Sequence, residues 1–502
     1  MPPLLFILSK ANVGTFASQP QKTPRMTWKR LTYQLLIWSQ LCLSVLAFVA
    51  CKSDPSGDDE QPTPPVQELG TYFEVNIRAV QAPTTRGPQG GEDGDYTDPG
   101  YEREQAVNNA TLLIYQDNKG INGSDDTPII YALYAPTLTR VAHTDGSVSY
   151  ATGLLHQSQP IRMGKYHILV LANMGDQSRW LGHTLGELRA DHSLTQLYSQ
   201  TDATDPTTAT NFAMAQADDA EVTIEGSGGI ENPIKVTANL ERLAARIDFR
   251  AGGATGGYQD QDMRLTLQNG TVARFHGYYT YIVKGSGTTA ANSDVFYLTT
   301  VTTFNAQQSG EYLIKRVANS TDDDATTTYL GAETTTALSH QATNYVIDPW
   351  TTQKNNSATG IMQYNRRYED MDALPTAQLT AVKAPDATNV SNDGTTYYTL
   401  DYAMENTLMP TSDKRLYATG ITLQGYYGKR QTDGSLAFTE KRYHYFIRHS
   451  DPNNSSAETL PMKYGIVRNN IYRLSLNSIT SLGLIIIEVR DWTPVRVPEI
   501  QM

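Results

Sequence analysis

Residues 72–80 read Tyr-Phe-Glu-Val-Asn-Ile-Arg-Ala-Val, and apolar side chains occupy every second place. Phe73, Val75, Ile77 and Ala79 share one face, and mostly polar side chains share the other. A period of two is typical of a β-strand that buries one face. The pattern therefore predicts a strand over 72–80 that contributes four side chains to a core.

Similar patterns recur along the chain between turn-rich stretches, while charged residues make up only 18% of it. Further strands are predicted at Ala110–Tyr115, Ile129–Tyr134, Tyr166–Ala172, Glu221–Ile224, Ile234–Phe249, Met263–Leu267, Tyr278–Val283, Val295–Thr299, Tyr397–Tyr402, Leu416–Gln424, Tyr443–Arg448, Ile466–Ser475 and Leu484–Val489. Thr184 and Glu187 have the spacing of a capping box, which predicts one short helix. We expect an all-β fold of two β-sandwich domains in tandem, with one or two short helices and a junction near Ile234.

Composition excludes several functions. The 502 residues carry a net charge of −12, which disfavours a nucleic-acid partner. Cys42 and Cys51 are the only cysteines, too few for a disulfide framework or a cysteine-based zinc cluster. The histidines show neither HxH nor HExxH spacing. We therefore expect no enzyme activity, no catalytic residue, no metal and no cofactor.

The first 50 residues have the pattern of an export signal. Met26 is followed by Lys29 and Arg30 and then by a mostly apolar run that ends in Phe48-Val49-Ala50-Cys51. A basic head, an apolar stretch and small residues at its end are typical of a secretory signal. The last four residues resemble a bacterial lipobox, whose cysteine becomes the lipidated amino terminus. An ordinary thiol at the end of a membrane helix is the alternative for Cys51, and translation starts at Met26 or at Met1.

Two polar segments flank the strand over 72–80. Residues 52–69 are rich in acids and prolines, a composition typical of a tether. Residues 81–100 are rich in glycine, proline and acids, which predicts an exposed loop accessible to proteases.

The carboxy-terminal third carries a family resemblance. Tyr464–Leu476 reads YGIVRNNIYRLSL, after Tyr443–His449 and before Gly483 and Asp491-Trp492. This succession resembles the Bacteroidales fimbrillins, the type V pilins, and most closely the Mfa-type major subunits. Weaker similarities lie upstream, at Gly164–Asn173, Asn211–Met214 and Leu240–Ile247.

The resemblance implies a life history. Such fimbrillins reach the outer membrane as lipoproteins, and an arginine-specific extracellular protease cuts them. The cut frees the first strand of a transthyretin-like Greek-key β-sandwich. On this chain the cut is expected between Arg86 and Gly87. Arg78 is the competing site, but it lies within the strand pattern, where paired backbone resists proteases.

The resemblance also implies that an extended segment of a neighbouring subunit fills the vacated site. The candidate donor is the tail at 491–502, whose side chains for this purpose are Trp492, Val495, Val497, Ile500 and Met502. Pro494 and Pro498 complicate the assignment, because each removes a ladder donor. The alternative is that the tail only extends the last strand of its own domain.

The expected organisation is an extension and signal peptide at 1–50, a tether at 51–69, an amino-terminal domain at 70–233, a carboxy-terminal domain at 234–490 and a donor tail at 491–502. The expected function is that of a structural fimbrial subunit on the cell surface. Its partners are other copies of itself, other fimbrial subunits and the protease, with a host protein or glycan as adhesion target. A tip or accessory adhesin is one alternative. A glycan-binding surface lipoprotein that never polymerises is another, with Tyr278, Tyr279, Tyr281, Tyr426 and Tyr427 as sugar-stacking candidates.

Overall fold

Strands and turns dominate the computed structural model of the chain. It describes residues 70–79, 100–116, 124–144, 148–191, 194, 196–202, 205–216, 219–226, 228–306, 379–391, 394–404, 418–447, 466, 468–481 and 485–490. Glu68–Met502 forms one compact unit. Within the described ranges, no helix is both long and apolar enough to span a membrane.

The first half of the described chain forms one sheet. Its strands are β1 (Thr71–Ala79), β2 (Ala110–Tyr115), β3 (Ile129–Ala135), β4 (Thr139–Ala142), β5 (Val148–Gln157), β6 (Gly164–Ala172), β7 (Met214–Gln216), β8 (Ala220–Ile224) and β9 (Ile234–Arg242). They are ordered β3-β2-β6-β7-β9-β1-β5-β4, and β8 pairs with β6. Two short helices, α1 (Glu102–Gln105) and α2 (Leu185–Ala190), accompany this sheet.

The second half forms two further sheets. Their strands are β10 (Ala244–Arg250), β11 (Gln259–Thr266), β12 (Val272–Ile282), β13 (Val295–Phe304), β14 (Asp386–Val390), β15 (Thr396–Met404), β16 (Gly420–Arg430), β17 (Leu436–Phe446), β18 (Ile471–Ile479) and β19 (Ile485–Arg490). One sheet is ordered β14-β15-β10-β18-β19 and the other β11-β12-β13-β16-β17.

Each half has its own hydrophobic core. The inward side chains of β1, β2, β6 and β9 meet in one buried cluster, so the large sheet curls around a single interior. Inward side chains of β10, β15 and β18 meet those of β12, β13 and β16 in a second cluster, which makes the second half a sandwich of two sheets. The all-β prediction is therefore confirmed.

The start of the second half differs from the sequence prediction. Ile234–Phe249 was predicted as one strand, but the chain leaves the first sheet after Arg242 and enters the second at Ala244. Leu240–Phe249 mixes apolar residues with four charged ones, and all ten are buried, so neither period nor polarity marks this change of sheet. β9 thus lies with the first half, and the change of sheet falls at Leu243 rather than near Ile234.

The predicted helix exists but is short. The Thr184 hydroxyl accepts the backbone N–H of Glu187 at 3.2 Å, and the Glu187 carboxylate accepts the backbone N–H of Thr184 at 3.0 Å. The capping box therefore forms as predicted. Asp191 already has extended backbone angles, so the later leucines Leu194 and Leu197 lie beyond the helix.

Candidate strand-exchange site

β1 lies inside the large sheet rather than at an edge. It runs antiparallel to β5, with Phe73 opposite Leu155, and parallel to β9, with Phe73 opposite Ile234. Backbone groups of β1 therefore pair on both sides. Removal of β1 would leave two unpaired strand edges facing each other across one strand width.

The alternation predicted for β1 is present. The side chains of Phe73, Val75 and Ile77 are fully buried in the core of the first half. Glu74 and Asn76, on the opposite face, are half-buried. Burying a side chain of this kind stabilises a fold by about 1.5–3 kcal/mol. β1 therefore fills three adjacent apolar pockets that solvent would enter if the strand left.

The beginning of β1 is also closely packed. The Thr71 hydroxyl accepts the backbone N–H of Ile161 at 2.8 Å, and the Tyr72 backbone N–H donates to the Gly228 carbonyl at 2.8 Å. The Tyr72 ring stacks on His156 at 4.5 Å between centroids. A Cβ at residue 70 would lie 2.1 Å from the His156 ring, so only glycine fits at the entry to the strand.

The described segment that follows β1 begins at Gly100, and it links the two halves. Glu104 of α1 is fully buried, and the Nη1 group of Arg246 of β10 donates to both of its carboxylate oxygens, at 2.9 and 3.0 Å. Arg246 also donates to Asp248 at 3.0 and 3.2 Å. Tyr402 of β15 donates its hydroxyl proton to Glu104. We call Glu104, Arg246, Asp248 and Tyr402 the buried ion cluster.

The charges of this cluster compensate one another. Burial alone would lower the pKa of Arg246, but Asp248 and then Glu104 outweigh it and raise that pKa well above its ordinary value. Burial, and next the Glu104 carboxylate, raise the pKa of the Tyr402 hydroxyl, so this group stays protonated and serves as a donor. Sequence spacing gave no signal for this cluster, because more than a hundred residues separate Glu104 from Arg246 and Asp248, and these two from Tyr402.

Two family-like strings, the specific Tyr464–Leu476 and the weaker Leu240–Ile247, meet beside the cluster. Arg242, at the end of β9, donates to the Asn469 side chain at 3.2 Å and to the Glu104 carbonyl at 2.7 Å. The Arg246 backbone N–H donates to the Asn470 carbonyl at 2.8 Å. β10 then runs parallel to β18. The arginines and asparagines of these two strings therefore have a structural role, because they hold the link between the halves.

Several predicted site residues lie outside the described residues. These are the lipidation residue Cys51, the cleavage residues Arg86 and Gly87, and the donor residues Trp492, Val495, Val497, Ile500 and Met502. Phe73, Val75 and Ile77 lie together on one face of β1, and Ala79 ends the strand. The predicted strand Leu484–Val489 is observed as β19, antiparallel to β18.

The tyrosines proposed for sugar stacking are mostly packed against protein. Tyr278, Tyr279 and Tyr281 are at most 5% exposed. Tyr426 is half-buried and stacks on Phe275 at 5.1 Å between centroids. The Tyr427 hydroxyl donates to Asp294 at 2.7 Å. These rings stabilise the second half through cross-strand packing.

A family model matches the carboxy-terminal part of the chain. Residues 438–498 match the family described as major fimbrial subunit protein type IV, fimbrillin, C-terminal. The match spans most of β17, all of β18 and β19, and the first part of the tail. It confirms the fimbrillin resemblance found in the sequence. A comparison with curated proteins gave no match.

Several solved structures resemble the chain. The tip fimbrial protein Mfa3 from Porphyromonas gingivalis, with a C-terminal truncation, is 12% identical, with a TM-score of 0.38 over 84% of this chain and 99% of that one. A protein described as a cell adhesion protein from Parabacteroides distasonis is 15% identical, with a TM-score of 0.38 over 85% and 99%. Another from Bacteroides eggerthii is 13% identical, with a TM-score of 0.38 over 86% and 97%.

Proposed function

We propose, from the match of residues 438–498 to the fimbrillin C-terminal family, that this chain is a structural subunit of a fimbria on the cell surface. Its role is mechanical and adhesive rather than catalytic. It consists of two β-sandwich domains that meet at Leu243, and its acceptor site is the position of β1. The single observation that carries the acceptor site is the placement of β1 between β5 and β9.

The physical chemistry of that placement favours polymerisation. A sheet that loses an internal strand exposes two rows of unpaired N–H and C=O groups and an apolar trough. An extended segment from another molecule restores both at once, by strand addition. The three buried side chains of β1 define what a replacement must supply, namely apolar side chains at alternate positions. Polymerisation is then the repair of one subunit by the next.

The precursor is anchored before it assembles. Cys51 carries the lipid that holds the chain at the outer membrane, and residues 52–69 tether β1 to it. An arginine-specific extracellular protease cuts between Arg86 and Gly87, which separates the lipid and β1 from the rest of the molecule. The tail at 491–502 of a second copy, or of another fimbrial subunit, then enters the site.

The buried ion cluster fits this sequence of events. Its member Glu104 follows Arg86 in the chain, as does Tyr101, whose hydroxyl donates to Asp386 at 3.0 Å. After the proposed cut, these residues stay fixed to the second half by buried bonds while β1 is free to leave. The cluster therefore keeps the chain from Tyr101 onward in place when β1 leaves.

Substitution of the arginine tests the proposal. In the native host, Arg86→Ala should leave a lipid-bearing monomer whose amino terminus is Cys51, because the loop at 81–100 then contains no arginine. Arg78→Ala is the matched control, since Arg78 lies in β1 opposite Asn239 of β9. That variant should be cut and should polymerise as the unsubstituted protein does. Intact mass measures the lipid, terminal sequencing identifies the amino terminus, and ladders on gels measure polymerisation.

Normal polymer from Arg86→Ala would overturn the cleavage step. Cleaved protein that stays monomeric in the presence of a complete tail would overturn strand exchange.

A further inference from the structure

The partner strand β5 contains an extra residue opposite β1. Glu74 pairs with Leu154 and Asn76 pairs with Ala151, so β5 advances three residues while β1 advances two. Thr152 and Gly153 therefore lie together opposite the single residue Val75. Gly153 has a φ of 69°, which few residues other than glycine adopt. This is a β-bulge in the wall of the candidate strand-exchange site.

Thr152 takes over a backbone role at this bulge. Its hydroxyl oxygen accepts the backbone N–H of Val75 at 3.1 Å, where a regular ladder would offer a carbonyl. The same hydroxyl donates its own proton to the Gly153 carbonyl at 2.8 Å. Because that proton is engaged, the hydroxyl faces Val75 only as an acceptor. The strand in the site must therefore supply a donor at this place.

The donors of β1 alternate between its two neighbours. The Val75 N–H points to β5, and the Tyr72 N–H points to the β9 side through Gly228. Residues that point inward therefore direct their N–H groups to β5, and outward residues direct theirs to β9. A shift by one residue would turn the N–H away from Thr152 and move the apolar side chains out of the core.

We propose that Thr152 is a specificity-determining residue of the acceptor site: it admits only a strand with a backbone N–H at the place of Val75, and it rejects proline there. This inference rests on the proposed function and extends it to the choice of donor. In a donor that runs in the direction of β1, Val495 or Val497 meets the requirement. Pro494 and Pro498 do not; at outward positions they avoid Thr152, and each gives up one ladder bond to β9 instead.

The first test uses the uncleaved full chain. Thr152→Val removes the acceptor with little change of shape, and Thr152→Ser keeps it. Amide hydrogen exchange is measured residue by residue across β1. We expect exchange at the Val75 amide to be about two- to tenfold faster in Thr152→Val, the range for one net hydrogen bond, and unchanged in Thr152→Ser. Equal exchange in the two variants, or the same acceleration in both along all of β1, would overturn the proposal.

The second test uses assembled material. Polymers of Thr152→Val should separate into subunits at a lower denaturant concentration than polymers of Thr152→Ser, because the donor strand loses the same bond. Equal separation would overturn the role of Thr152 toward the donor. The exchange measurement does not depend on cleavage or assembly. If the unsubstituted chain forms no polymer, the proposed function fails while the exchange result still stands.

Discussion

Glu104 and Arg246 are charged residues that are costly to bury. Both are almost fully buried, where an unpaired charge costs several kcal/mol. The bonds between them, together with Asp248 and Tyr402, satisfy most of the polar atoms. Apolar residues could fill the same volume, but they would not fix the segment after the proposed cleavage loop in one position. We infer that specificity of docking is what the cluster contributes.

Two glutamates on α1 allow a matched comparison. Glu104→Ala should destabilise the precursor by about 3–5 kcal/mol, because it leaves the Arg246 charge buried with one partner fewer. Glu102→Ala should cost about 0–1 kcal/mol, because the Glu102–Arg140 pair, at 2.9 Å, is 81% and 48% exposed. Denaturant unfolding of both variants measures the difference. Identical unfolding midpoints would contradict the role given to the cluster.

At the scale of elements, β1 could be predicted from the sequence and its neighbour β5 could not. β1 alternates without interruption, whereas β5 reads Val-Ser-Tyr-Ala-Thr-Gly-Leu-Leu-His-Gln. The bulge at Thr152 and Gly153 breaks the period of β5, and its serine, threonine and glycine are equally typical of turns. The strand β1 was therefore predictable from the sequence, while β5, which forms one wall of its site, was not.

The buried ion cluster was hidden for a different reason. Glu104, Arg246 and Asp248 look like ordinary surface charges in sequence, since charged residues are mostly exposed. Only the topology, which places β10 beside α1 and β15, shows that they are buried together. By contrast, the capping box at Thr184 was predictable, because its bonds connect residues three apart.

The alternation of side chains along an extended tail predicts which donor residues enter the site. Val495 and Val497 share one face of an extended tail, and Pro494, Arg496 and Pro498 share the other. With the prolines outward, Val497→Asp should abolish or strongly reduce polymer, because it places a carboxylate in an apolar pocket. Arg496→Asp, the adjacent control, should polymerise normally. Polymer length on gels measures both, and equal defects would contradict this register.

Trp492, Ile500 and Met502 have the opposite parity to these valines. In an unbroken strand they contact the acceptor outside the three pockets of Phe73, Val75 and Ile77. The sequence analysis grouped all five side chains by their apolar character, without the register that the bond between Val75 and Thr152 imposes.

At the scale of the whole molecule, the two halves repeat one arrangement. The first strand of each half runs parallel to a late strand and antiparallel to a middle one: β1 with β9 and β5, and β10 with β18 and β15. The difference is in the connections. β10 continues from β9 and is held by the buried ion cluster, whereas β1 is held by apolar contacts and ladder bonds. Only the first half is therefore suited to exchange its first strand.

If β1 must leave for polymer to form, then a disulfide between β1 and β5 should block polymerisation reversibly. Glu74 and Leu154 are paired across β1 and β5, and Leu154 is 49% exposed, so cysteines at both places face each other at the surface. Glu74→Cys alone is the control. When the disulfide is formed, the double variant should be cut after Arg86 yet stay monomeric, and a reductant should restore polymerisation. Equal polymerisation by the disulfide-bonded protein would show that β1 need not leave its site.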